Sequence, residues 1–124
     1  MRNMTSREFE AATGQKLSKG KRVRRTGYRS KLEADYARYL NLLFLAGELR
    51  TWSYEAVKLK IGNGAFFTPD FLVVCASGDV EFRETKGFRR EAAIVRIRSA
   101  ALQYPFWPFF LVTRVGTSWA TERV

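Results

Sequence analysis

Histidine is absent from this 124-residue chain, and cysteine occurs once, at Cys75. Without histidine there is no Ser–His or Cys–His nucleophile pair and no imidazole-held metal. A single cysteine excludes an internal disulfide and a zinc-type cysteine cluster. Base chemistry is left to carboxylates, lysine or metal-bound water. No apolar run reaches the roughly 20 residues that span a bilayer, and the N-terminus lacks a signal-peptide core. The expected location is therefore the cytoplasm. There is no internal repeat.

What is present is a single-domain length of chain with enough apolar material for one core, 46% hydrophobic with ten Phe and three Trp. The formal net charge is +10, and its placement is uneven. Residues 1–31 carry ten Lys/Arg against Glu8 and Glu10, whereas residues 32–124 carry twelve against ten acids. A basic, flexible N-terminal arm is expected over 1–29, and it implies a polyanionic partner held through phosphate contacts. An anionic membrane surface is the competing partner, but the arm has no amphipathic apolar face, so none is expected.

Within the arm, Ser6–Thr13 admits a short helix, and Gly14, Gly20 and Gly27 act as breakers. The folded domain is expected over 30–124. Ser30 with Glu33 forms a capping box, and Leu32, Tyr36, Leu40, Leu43 and Phe44 keep helical spacing. This predicts a helix over about 30–46, closed near Gly47. Thr51–Ile61 alternates as a strand, Gly62-Asn63-Gly64 turns, and Ala65–Cys75 is an apolar strand. Ala76–Asp79 is a hairpin turn and Val80–Lys86 the return strand. A helix over Arg89–Gln103 is cut by Pro105 and Pro108 from a last strand, Phe109–Arg114. The order α-β-β-β-α-β defines a mixed α/β layer fold with one sheet.

On that frame, Pro69-Asp70 and Glu84-Thr85-Lys86 fall on the two strands of the hairpin. Glu84 and Lys86 share a face, and pairing sets Asp70 beside Glu84. Two carboxylates and the Thr85 carbonyl are hard oxygen donors suited to Mg²⁺, with Mn²⁺ as a substitute. Lys86 is placed to orient water or to stabilise charge developing on a phosphodiester. The structural alternative is a surface cross-strand pair or a buried Asp70–Lys86 ion pair. The apolar flanks of Asp70 favour burial, where a carboxylate needs a partner or a metal.

Thr68-Pro69-Asp70-Phe71-Leu72 followed by Glu84-Thr85-Lys86-Gly87 resembles the core of the PD-(D/E)xK nuclease superfamily. Tyr28-Arg29-Ser30-Lys31-Leu32-Glu33 and Tyr54-Glu55 extend the similarity, over about residues 28–114, toward the phage endonuclease I type of Holliday junction resolvase. The Asp70–Glu84 gap is longer than in that type. The resemblance implies a restriction-endonuclease-like core, with a mixed central sheet flanked by helices. It implies Asp70 and Glu84 as metal ligands, Thr85 as a carbonyl ligand and Lys86 as the catalytic lysine. Glu33 would be the helix carboxylate of the site; its structural alternative is capping alone.

It further implies a Mg²⁺-dependent endodeoxyribonuclease acting on branched DNA in phage recombination or replication. Paired incisions imply a homodimer, in a bacterial or phage-infected cell. A nicking, end-processing or transposase-subunit nuclease is the alternative within the class, and a noncatalytic DNA-binding or assembly module the alternative outside it. Candidate nucleic-acid contacts are Arg22, Arg24 and Arg25 in the arm, Arg29, Ser30 and Lys31 beside Glu33, and Arg89 and Arg90 after the Lys86 strand. Lys58 and Lys60 share a strand face that solvent alone explains. Trp52, Trp107 and Phe106 suit the core, Cys75 inert packing, and Trp119, in an otherwise polar C-terminal tail, an interface.

Overall fold

In the computed structural model, which describes residues 4–14, 27–87 and 90–124 with Arg90 by its backbone alone, the first element is helix α1, Ser6–Thr13. The Thr5 hydroxyl accepts the Glu8 N–H, and Gly14 ends the helix at φ 71°. Phe9 is fully buried, its ring against Phe82 and Trp107. The Ser6 N–H donates to the Gly78 carbonyl at 2.8 Å, and the Val80 N–H to the Met4 carbonyl at 2.6 Å. Residues 4–14 are thus packed onto the domain, which corrects the expectation of a flexible arm there. Phe9 is the reason, because burying a ring of that size stabilises by about 1.5–3 kcal/mol. Lys16 through Arg25 lie outside the described residues.

Helix α2 spans Lys31–Leu45, with Ser30 as its cap. It ends in a Schellman motif: the Gly47 and Glu48 N–H groups donate to the Phe44 and Leu43 carbonyls at 3.1 and 2.9 Å. Gly47 makes this possible at φ 80°. Strands follow as β1 (Leu49–Tyr54), β2 (Leu59–Gly62), β3 (Ala65–Phe67), β4 (Phe71–Cys75) and β5 (Val80–Thr85). After them come helix α3 (Arg90–Gln103), β6 (Phe109–Val115) and β7 (Ser118–Arg123).

Among the described residues the fold is mixed α/β, with three helices and a five-stranded sheet in the order β1-β4-β5-β6-β7. The β5–β6 pair is parallel, joined through α3, and the other pairs are antiparallel. Alternation sends Leu72, Val74, Phe82 and Phe109 to one face, against Phe9, Ile97 and Trp107. Phe71, Val73 and Val112 go to the other, against Tyr36, Leu40 and Trp52. Asp35 ties α2 to the sheet: its carboxylate accepts from Arg114 at 2.7 Å and also from Arg38. No helix among the described residues is long and apolar enough to cross a membrane.

Three strand expectations are corrected. Thr51–Ile61 is two strands, as is Ala65–Cys75, and β2 and β3 form a separate two-stranded hairpin. Asp70 therefore lies in the break before β4, not inside a strand. The third correction is β7, where a polar tail was expected. Trp119 on β7 is no free interface marker: its ring lies 4.9 Å from that of Tyr36, with the Arg114 guanidinium 5.2 Å above it.

Candidate active site

The β1–β4 ladder ends at Tyr54 opposite Phe71. One more bond extends it, from the Glu55 N–H to the Asp70 carbonyl at 2.8 Å. Glu55 then turns at φ 48°, and Pro69 has no N–H with which to continue the ladder. This break brings Asp70 out of the pleat at the sheet's end. The β4–β5 register, Phe71 opposite Arg83, sets Glu84 beside it. The Asp70 N–H donates to Glu84 Oε1 at 2.8 Å. Asp70 Oδ2 in turn accepts the Thr85 N–H at 2.9 Å and the Thr85 hydroxyl at 2.8 Å.

Glu33 reaches the same point from the first turn of α2. Its N–H donates to Ser30 Oγ at 3.1 Å, and Ser30 Oγ donates to Glu33 Oε1 at 3.4 Å. The capping role is therefore real, but the Glu33 carboxyl also lies close enough to Asp70 and to the Tyr54 phenol for both to act on its titration. Glu33 and Glu84 are both buried. Burial first, then the Asp70 charge, pushes Glu33 up to about 7. Glu84 goes up to about 8 for the same two causes in the same order, with the Asp70 N–H opposing. Asp70 thus lies beside two other carboxyl groups. Such an arrangement favours holding a proton or a cation among them.

Lys86 continues the strand: its N–H donates to the Val112 carbonyl at 2.7 Å. Its side chain is half-buried, and no Asp70–Lys86 pair lies within 4.0 Å. The buried ion pair that would account for Asp70 structurally is not formed; Thr85 holds that carboxylate instead.

The donor chemistry suits Mg²⁺ or Mn²⁺, because carboxylate oxygens are hard ligands. As the side chains stand, no group of three or more Asp, Glu, His or Cys among the described residues is arranged to hold a metal ion.

Of the expected phosphate contacts, the described side chains are those of Arg29, Ser30 and Lys31. Arg29 pairs with Glu55 at 2.9 Å, Ser30 is occupied as the cap, and Lys31 is exposed. Arg90 opens α3, and its side chain, like Arg89 and the cluster Arg22, Arg24 and Arg25, lies outside the described residues. Two tyrosines had no assigned role. Tyr54, whose hydroxyl accepts the Arg29 N–H at 3.3 Å, is pushed up to about 12 by burial, with the Arg29 bond opposing and the Glu33 and Glu55 charges adding. Tyr28 packs edge-on against it at 4.7 Å. No local signal marked Tyr54, because the strand break that follows it was itself not legible. No family model, curated protein or solved structure matches the chain at a significant level.

Proposed function

We propose that this chain is a divalent-metal-dependent endonuclease of the PD-(D/E)xK type, with a restriction-endonuclease-like core, cutting branched DNA as a homodimer. The observation that carries this reading is the convergence of Glu33, Asp70 and Glu84 at one end of the sheet, with Lys86 next along the strand. The succession α2-β1-β4-β5-α3-β6 supports the fold assignment.

In this reading Asp70, Glu84 and the Thr85 carbonyl would hold a cation, with Glu33 completing the set from α2. Mg²⁺ or Mn²⁺ held there would neutralise phosphodiester charge and lower the pKa of water. Thr85 fixes the Asp70 carboxylate through its N–H and hydroxyl, and Tyr54 orients Glu33. Lys86 presents its ammonium to the reacting phosphate and steadies the charge that builds there. The phosphorus–oxygen bond to one nucleotide breaks as the water oxygen attaches. A phosphomonoester and a free hydroxyl remain.

The test is cleavage of a four-way junction, a fork, nicked and plain duplexes and a single strand in Mg²⁺ or Mn²⁺. Symmetric junction cuts are expected. They should fall at least about 100-fold in Asp70→Ala, Glu84→Ala and Lys86→Ala. Unchanged cutting by Lys86→Ala in a clean preparation would sink the mechanism. One observation favours a noncatalytic DNA-binding or assembly module: the three carboxyls do not stand as a formed metal cage. Mn²⁺ titration separates the two readings, since only the nuclease should bind the ion and lose it in Asp70→Ala.

A further inference from the structure

The break that frees Asp70 also ejects the β2–β3 hairpin from the main sheet. Both of its ends are clamped at the site by the Glu55 N–H to Asp70 carbonyl bond. One face is fixed inward: Leu59 and Phe67 are buried. The Tyr104 hydroxyl donates to the Lys60 carbonyl at 2.8 Å, and the Gln103 amide donates to the Ile61 carbonyl. The other face is solvent-exposed and has a distinct composition. It shows Lys58 and Lys60, with Phe66 directly opposite Lys60 in the ladder and 46% exposed. The Lys58 ammonium stands 4.6 Å from the centre of the Phe66 ring.

Residues 56–69 contain no acid, and neither lysine has a described carboxylate within 4.0 Å. The Lys58–Phe66 cation–π contact is a weak one at an exposed site, and packing alone does not call for an aromatic ring beside two lysines on this face. The pattern matches what a polyanion with flat bases requires.

We infer that the exposed face of the β2–β3 hairpin is a nucleic-acid subsite, which takes an unstacked nucleotide of the strand leading to the cut: the base on Phe66, the adjoining phosphates on Lys58 and Lys60. This rests on the nuclease reading and names its substrate class as DNA with a single-stranded or splayed flank. Phe66 lies four positions before Asp70, at most about 14 Å of chain. That is about four nucleotides of a stacked strand. The incoming base takes the ring face now under Lys58, and the ammonium shifts to that nucleotide's own phosphate. Stacking on an aromatic ring tolerates any base, so the subsite reads an open strand and not a sequence.

The experiment is binding of a fork with 2-aminopurine in its single-stranded flank, in EDTA, to the full chain and three variants. Phe66→Leu keeps the apolar bulk and removes the π face. It should weaken fork binding by roughly 5- to 150-fold and abolish the stacking signal, while Phe66→Trp retains both. The double variant Lys58→Ala/Lys60→Ala should lower the salt slope of binding by about 1.4, two single-strand phosphates' worth. All three positions are exposed, so the fold tolerates these changes.

Fork binding and stacking by Phe66→Leu equal to the unsubstituted chain would overturn the inference. So would equal losses on fork and plain duplex, which would make the hairpin a duplex-backbone contact. Mg²⁺-dependent cutting of the same fork by the unsubstituted chain keeps the nuclease reading intact through either result. A chain that neither binds nor cuts any nucleic acid removes that reading, and the subsite with it.

Discussion

Glu84, with its carboxyl pushed up to about 8, makes the folded chain hold a proton that the unfolded chain has already released near its ordinary value of 4.5. Glu33, at about 7, acts in the same direction. A raised carboxyl leaves full stability below the unfolded value and removes it as pH rises through the folded value. The metal-free protein should therefore lose stability between about pH 4.5 and 8. Glu84→Gln keeps the amide-accepting oxygen and removes the charge. It should stabilise the chain by roughly 1–4 kcal/mol at pH 8 and by little at pH 4.5. Thermal melts across that range check this; an equal gain at both ends would show that charge is not the cause. Asp35 runs the opposite way. Its Arg114 and Arg38 partners hold it below the usual value, so its contribution fades only as pH falls through that lowered value.

At the scale of elements, Phe9 is the side chain of α1 that is buried against the domain. Phe9→Ala should cost about 3–5 kcal/mol, read from denaturant unfolding, and a loss below about 1 kcal/mol would show α1 to be loosely attached. A truncation of residues 1–27 would remove Phe9 along with the basic residues, confounding binding with stability. The lone Phe in a polar segment was the legible sign, but neighbouring charges masked it. Elsewhere the hairpin register was readable from the apolar β4 run and the Ala76–Asp79 turn, and with it the meeting of Asp70 and Glu84. The Ser30–Glu33 cap was readable too. What escaped was where strands stop. Phe66, Phe67 and Phe71 read as one apolar strand, although Pro69, lacking an N–H, marks the interruption. On β7 the exposed Ser118–Arg123 edge has no buried face, so no alternation announced it. The Tyr54–Glu33 contact joins a strand end to a helix start, a tertiary meeting that no local pattern encodes.

For the whole molecule, charge is the coarse variable. Residues 15–26 carry six Lys/Arg and no acid, whereas the described domain mixes both signs. Replacing those six with Gln or Ser leaves Phe9 in place. It should lower the salt slope of duplex binding by up to about 5 and weaken all DNA forms together. That pattern separates the segment from the hairpin, whose losses should favour forked DNA. A slope unchanged by the six replacements would assign DNA binding to the domain alone.

Cys75 has a practical consequence. It is the chain's only thiol, half-buried at the end of β4 and pushed up to about 11, chiefly by burial. At pH 8 only about one molecule in a thousand carries the reactive thiolate there. An exposed cysteine introduced at the hairpin tip, Asn63→Cys, would react with maleimide far faster than the native thiol. The protein therefore accepts a single fluorophore next to the inferred subsite without prior cysteine removal, and hairpin movement on DNA becomes readable by energy transfer.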